Sequence, residues 1–150
     1  MRFPTIGSGW CGPNPTIPIE LAPPDRDRCD TIRAGMDHYT WSQIPHEQMN
    51  DLLSRQVIHT ETMTICRLRL RKGAVVPMHQ HPNEQVTTME SGSLRFVVAG
   101  EEVVVRAGES LRIPPNAPHM VETLEDSVAL DLFAPPRQDW ISGDDAYLRK

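Results

Sequence analysis

Gly73-Ala-Val-Val-Pro-Met-His79-Gln-His81-Pro-Asn-Glu-Gln85 sets two imidazoles two residues apart in an apolar, β-branched setting. Successive side chains on a strand point to opposite faces, so His79 and His81 share a face and can bind one divalent ion together. A third histidine closes Gly108-Glu-Ser-Leu-Arg-Ile-Pro114-Pro-Asn116-Ala-Pro-His119, after a strand and a proline-rich turn. Working outward, Thr62 to Leu70 alternates, with Thr64, Cys66, Leu68 and Leu70 on one face and Met63, Ile65, Arg67 and Arg69 on the other. Leu94 to Ala99 and Glu102 to Val105 flank Gly100-Glu101 as a hairpin, and Ser110 to Ile113 and Val128 to Phe133 add two more strands. The one helical stretch expected is short, near Glu47 to Ser54. Many short strands with Pro and Gly punctuation predict an all-β barrel or double-sheet jelly roll.

The two histidine segments resemble the paired motifs of the cupin superfamily. Gly73, His79, His81, Gln85 and Gly92 keep the spacing of the first motif, with Gln85 where that motif has glutamate. Gly108, Pro114, Asn116, His119 and Thr123 keep the spacing of the second, with Asn116 in place of a glycine and Thr123 in place of an asparagine. Asn tolerates a left-handed turn, which makes the former replacement mild. The resemblance implies a cupin double-stranded β-helix, a jelly-roll barrel, binding one divalent metal ion (Zn, Ni, Mn or Fe) through His79, His81, Gln85 and His119. A glutamine supplies a neutral carbonyl oxygen, so the ion keeps its full double charge and acts as a stronger Lewis acid. Glu84 is the competing candidate, but on a continuous strand it points away from the histidine face.

Composition narrows the function classes. The chain has 150 residues, 39% hydrophobic and 23% charged, with a formal net charge of −5. That size fits one barrel with a core that needs no disulfides. The acidic balance and the lack of a basic run argue against nucleic acid. Cys11, Cys29 and Cys66 lie outside any C-x-x-C spacing, as expected in the reduced cytoplasm. No apolar run approaches membrane-spanning length, and the N-terminus lacks the apolar core of a signal peptide. Residues 1–38, with Pro13, Pro15, Pro18, Pro23 and Pro24, read as an extended N-terminal arm before a barrel domain over 39–150. Trp10, Ile17, Ile19 and Leu21 give such an arm something to bury, and an exposed sheet edge that it would cover predicts a homodimer. His38, His46 and His59 have no partner at ligand spacing and read as surface or capping residues.

The last strand carries a second constellation, Ala129-Leu-Asp131-Leu-Phe133-Ala-Pro-Pro-Arg137-Gln-Asp-Trp140. With Leu130 and Leu132 packed outward, Asp131 and Phe133 point into the barrel. A carboxylate there needs a partner or a role, and Arg137 is the nearest cation along the chain, either as a buried ion pair or in catalysis. His-x-His-Pro-x-Glu-Gln followed by Asp-x-Phe-Ala-Pro-x-Arg-x-Asp-Trp is similar to the small single-domain cupins of the KdgF type, which convert 4,5-unsaturated uronates to linear 5-keto-4-deoxyuronates. That resemblance implies catalytic roles for Asp131 and Arg137, a pocket-lining role for Phe133, and a small anionic substrate. The alternatives are an iron-dependent dioxygenase, a non-catalytic ligand-binding cupin and a polyketide-cyclase-like cupin.

Overall fold

The computed structural model describes residues 35–149, of which those from His38 onward belong to one compact unit. The arm expected over residues 1–38 lies, up to residue 34, outside the described residues. Ten strands follow: β1 Glu47–Asn50, β2 Leu53–His59, β3 Thr64–Leu70, β4 Val75–His79, β5 Glu84–Ser91, β6 Ser93–Val98, β7 Glu101–Arg106, β8 Ser110–Ile113, β9 His119–Thr123 and β10 Ser127–Ala134. They form a six-stranded sheet ordered β1-β2-β3-β10-β5-β8 and a four-stranded sheet ordered β4-β9-β6-β7, with every pairing antiparallel. One α-helical turn, α1 (Gln138–Ile141), and a 3-10 turn over Ala146–Arg149 close the chain.

Alternation explains which side chains enter the barrel. On β3, Thr64, Cys66 and Leu70 are buried while Arg69 is exposed. On β10, Ser127, Ala129, Asp131 and Phe133 are buried and Leu132 faces outward, as its neighbours' parity requires. β10 lies between β3 and β5, and its register fixes two inward rows: Phe133 sits opposite Thr64 and Gln85, and Asp131 opposite Cys66 and Thr87. Leu70 of β3, Leu53 of β2, and Leu94 and Phe96 of β6 pack into the apolar core. Each such large side chain contributes about 1.5–3 kcal/mol by leaving water.

Two local expectations shift. The stretch Glu47 to Ser54 is not helical: β1 turns back through Asp51-Leu52 into β2, so that Glu47 lies opposite Arg55. The Asn50 side chain sets that turn by accepting from the Leu52 amide at 3.0 Å, and the Arg55 Nε donates to Glu47 Oε2 at 2.8 Å. Long-range pairing outweighs a weak helical spacing here. The β6–β7 hairpin turns one residue earlier than expected, at Ala99-Gly100, with φ of 50° and 89° and Val98 opposite Glu101. Positive φ at both central residues suits the right-handed twist of a two-residue hairpin.

Gly92 joins β5 to β6 with φ 77°, and a Cβ there would lie 2.6 Å from the Asp126 carbonyl oxygen and closer still to Ser127 Oγ. Neither neighbour is free to yield, because Ser127 Oγ accepts from the Ser93 amide at 3.0 Å. Gly92→Ala should therefore cost at least about 2 kcal/mol. Chemical denaturation of the two proteins checks this, and an unchanged midpoint would mean that the turn relaxes.

Candidate metal centre and active site

The three predicted histidines converge. One ligand atom from each of His79, His81 and His119 lies within 4.8 Å of the others. His79 ends β4 and His119 begins β9, and the two are direct cross-strand partners. His81 lies beyond β4, so one continuous strand does not carry both residues of the pair. Its ring instead reaches the cluster from the connection to β5, held by Nδ1 against the Asn83 carbonyl at 3.1 Å.

The hydrogen-bond partners decide the tautomers. His79 Nδ1 donates to the Pro77 carbonyl at 2.8 Å and His119 Nδ1 to the Ala117 carbonyl at 2.8 Å. With Nδ1 carrying the hydrogen in all three rings, each Nε2 is left as a lone pair. Burial, and then the neighbouring His119, push His79 down to about 4. Burial and then Arg137 and His119 push His81 down to about 4, and burial lowers His119 as well. The rings are therefore neutral at physiological pH, the state in which imidazole binds a metal.

Gln85 and Glu84 part as strand parity requires. Glu84 turns outward and pairs with Arg112 on the surface, while Gln85 is buried. Gln85 Nε2 donates to Thr87 Oγ1 at 3.0 Å and to Asp131 Oδ2 at 3.2 Å, which aims Oε1 at the histidines. Oε1 lies 3.2 Å from His81 Nε2. A neutral His81 whose hydrogen is on Nδ1 makes that contact acceptor against acceptor, an arrangement that a bound cation would relieve. Three imidazole nitrogens and one amide oxygen suit zinc, nickel, manganese or iron.

Asp131 completes the polar floor. It accepts from Thr87 Oγ1 at 2.6 Å in addition to Gln85. Burial raises its carboxyl to about 6, with Thr87, Arg137 and Gln85 pulling the other way. The buried ion pair between Asp131 and Arg137 that the sequence allowed does not form. Arg137, 1% exposed, sends Nε to Asp139 Oδ1 at 2.9 Å and Nη2 to Asp139 Oδ2 at 2.6 Å. Its guanidinium carbon also lies 4.2 Å from the Trp140 ring centre and 4.9 Å from that of Phe133. Phe133 in turn meets His81 edge-on at 5.5 Å.

These groups line a cavity of about 40 Å³ that includes His79, Gln85, His119, Asp131, Arg137 and Tyr147. Sequence reasoning missed three of its supports. Thr87 was legible by parity, being two residues beyond Gln85 on one strand. Asp139 was legible as the nearest acid to Arg137. Tyr147 stacks on His79 with ring centres 4.7 Å apart and has no local sequence cue.

A jelly-roll barrel with imidazoles converging from two strands of one sheet and the connection beyond one of them defines a cupin, and residues 66–134 match the family described as "Cupin domain". The chain belongs to the cupins. It is 30% identical over 103 residues to the pectin degradation protein KdgF of Dickeya dadantii (strain 3937), covering 66% of this chain and 93% of that protein. Among solved structures it resembles an RmlC-like cupin from Shewanella frigidimarina NCIMB 400, with TM-score 0.65 and 26% identity over 70% of this chain and 96% of that one. The fold also matches KdgF from Halomonas sp., with TM-score 0.67 and 24% identity over 71% and 99% of the two chains. Among the described residues no helix is long and apolar enough to cross a membrane.

The lowered imidazoles set an acid limit on stability. Unfolded histidines titrate near 6.5, whereas folded His79 and His81 titrate near 4 and His119 is lowered in the same sense, so below 6.5 the unfolded chain binds more protons and stability falls as pH falls. Asp131, raised from 3.8 to about 6, works in the opposite sense but is one group against three. Metal-free protein should melt at a lower temperature at pH 5 than at pH 7 by scanning calorimetry. A flat profile would mean that the rings are not buried as neutral species.

Proposed function

We propose that this cupin is a metal-dependent, non-redox isomerase of a small anionic sugar acid, with a 4,5-unsaturated uronate opened to the linear 5-keto-4-deoxyuronate. The observation that carries the reading is a buried carboxyl, Asp131, raised to about 6 and hydrogen-bonded to the glutamine that faces three convergent histidines. The likeness to the pectin degradation protein of Dickeya dadantii supports the substrate class.

In this reading His79, His81, His119 and Gln85 hold one divalent ion, which acts as a Lewis acid on substrate oxygens. Asp131 takes the hydroxyl proton at C1 as the bond from C1 to the ring oxygen breaks, leaving an aldehyde at C1 and an enolate across C4 and C5. Asp131 then delivers that proton to C4 as the enolate becomes the 5-ketone, so atoms balance and no electrons are transferred. A carboxyl near 6 both accepts and donates a proton at neutral pH. Thr87 and Gln85 hold it by one hydrogen bond to each oxygen, which fixes the carboxylate plane. Phe133 lines the pocket, packing edge-on between His81 and Trp140. A neutral ligand set leaves the ion's charge uncompensated, which favours an anionic substrate and does not favour the higher iron oxidation states of a dioxygenase. The cytoplasm and a homodimer complete the reading.

Loss of ultraviolet absorbance from an unsaturated galacturonate monomer, under nitrogen and with metal-loaded protein, tests the reaction; no loss rejects it. Asp131→Asn should retain the metal and lower kcat by at least about a hundredfold, the usual size of a general acid–base contribution. His79→Ala should lose the metal itself, read by elemental analysis after gel filtration. If Asp131→Asn also lost the metal, its assigned proton role would be wrong. Sedimentation as a monomer at micromolar concentration would remove the dimer.

A further inference from the structure

The segment after β10 lies against the same cavity as the histidines. Asp145 is buried and pairs with Arg55 of β2, and Arg149 pairs with both Asp145 and Glu47 of β1. Asn50 Nδ2 donates to the Leu148 carbonyl at 3.0 Å, and Leu148 is buried in the apolar core. These ties hold the 3-10 turn in place, and from it Tyr147 points inward onto His79.

Two donors already meet the phenol oxygen: Arg137 Nη2 at 2.7 Å and Trp140 Nε1 at 3.2 Å. Both of its acceptor positions are thus taken, and its own hydrogen has no acceptor among the described residues. Arg137 is similarly placed. Asp139 occupies Nε and Nη2, and Nη1 makes no hydrogen bond among the described residues. Nη1 shares its carbon with the Nη2 that touches the phenol oxygen, and both residues line the cavity. A carboxylate accepts from such a pair with its two oxygens together.

We propose that Tyr147 is a specificity-determining residue whose hydroxyl, beside Arg137 Nη1, receives the carboxylate of an anionic ligand bound over the histidines. The inference rests on the sugar-acid reading for its substrate class and adds the recognition group. Asp139 cancels much of the Arg137 charge, so discrimination falls on hydrogen-bond direction more than on net charge. The stacked ring on His79 fixes where that hydroxyl stands.

The test is titration calorimetry of galacturonate and its methyl ester into full-length, metal-loaded protein, neither of which needs to react. Wild type should bind the acid at least about tenfold tighter than the ester, the worth of one hydrogen bond to a charged group. Tyr147→Phe keeps the stacked ring and should weaken the acid by about tenfold while moving the ester by no more than about twofold. Metal content should not change. Tyr147→His, which keeps a planar ring and an N–H donor, serves as the second variant and should retain part of the preference for the acid.

Equal weakening of acid and ester by Tyr147→Phe would reduce the residue to a structural prop. An unchanged acid affinity in that variant, or a wild type that binds no galacturonate, would also overturn the inference. Failure of the unsaturated uronate to react, with the acid preference and its loss in Tyr147→Phe intact, would reject the proposed reaction and leave this site standing.

Discussion

Three imidazoles are held as neutral rings, His81 and His119 buried and His79 half-buried, each with its Nδ1 hydrogen tied to a carbonyl two residues away, and the rest of the site depends on that constraint. The carbonyls of Pro77, Asn83 and Ala117 leave the lone pairs no freedom to turn aside. A buried acceptor without a donor costs roughly 1–3 kcal/mol, so the cluster is a local destabilisation that a cation reverses. The apolar end of the barrel, around Leu53, Leu70, Leu94 and Phe96, offsets it.

How much of this was legible in the sequence follows from the range of the interactions concerned. β3 and β10 could be read because a strand with one buried face must alternate, and the same rule separated Gln85 from Glu84. The histidines could be read from spacing, although the reason first given, one strand carrying His79 and His81, holds for His79 only. Glu47 to Ser54 was misread because its outcome is set by Arg55 across the sheet and by Leu148 near the end of the chain. The partner of Arg137 escaped for a different reason. Chain distance favoured Asp139, but the inward carboxylate of Asp131 called for a cation, and the choice between the two acids depends on how α1 leaves the strand.

The carboxylate of Asp131 shows what a fully matched polar group does inside a barrel. Thr87 donates to one oxygen and Gln85 to the other, and Thr87 accepts from Gln85 in turn. Each donor has an acceptor, so the network sets one rotamer and costs little beyond the desolvation that raises the carboxyl. Polar residues at inward positions of a strand normally count against it, and here they persist because they satisfy one another.

The four-stranded sheet supplies His79 and His119, whereas Gln85, Thr87, Asp131 and Phe133 stand on the six-stranded one. The imidazole cluster and the buried carboxyl are therefore carried on different layers, joined chiefly through Gln85. Substitutions along β5 and β10 can remodel the carboxyl and its partners without dismantling the imidazole cluster, and changes on β4 and β9 can alter the imidazoles without moving the carboxyl. A scaffold divided in this way lets one layer diverge while the other is held, which offers a physical route by which a single barrel acquires new chemistries.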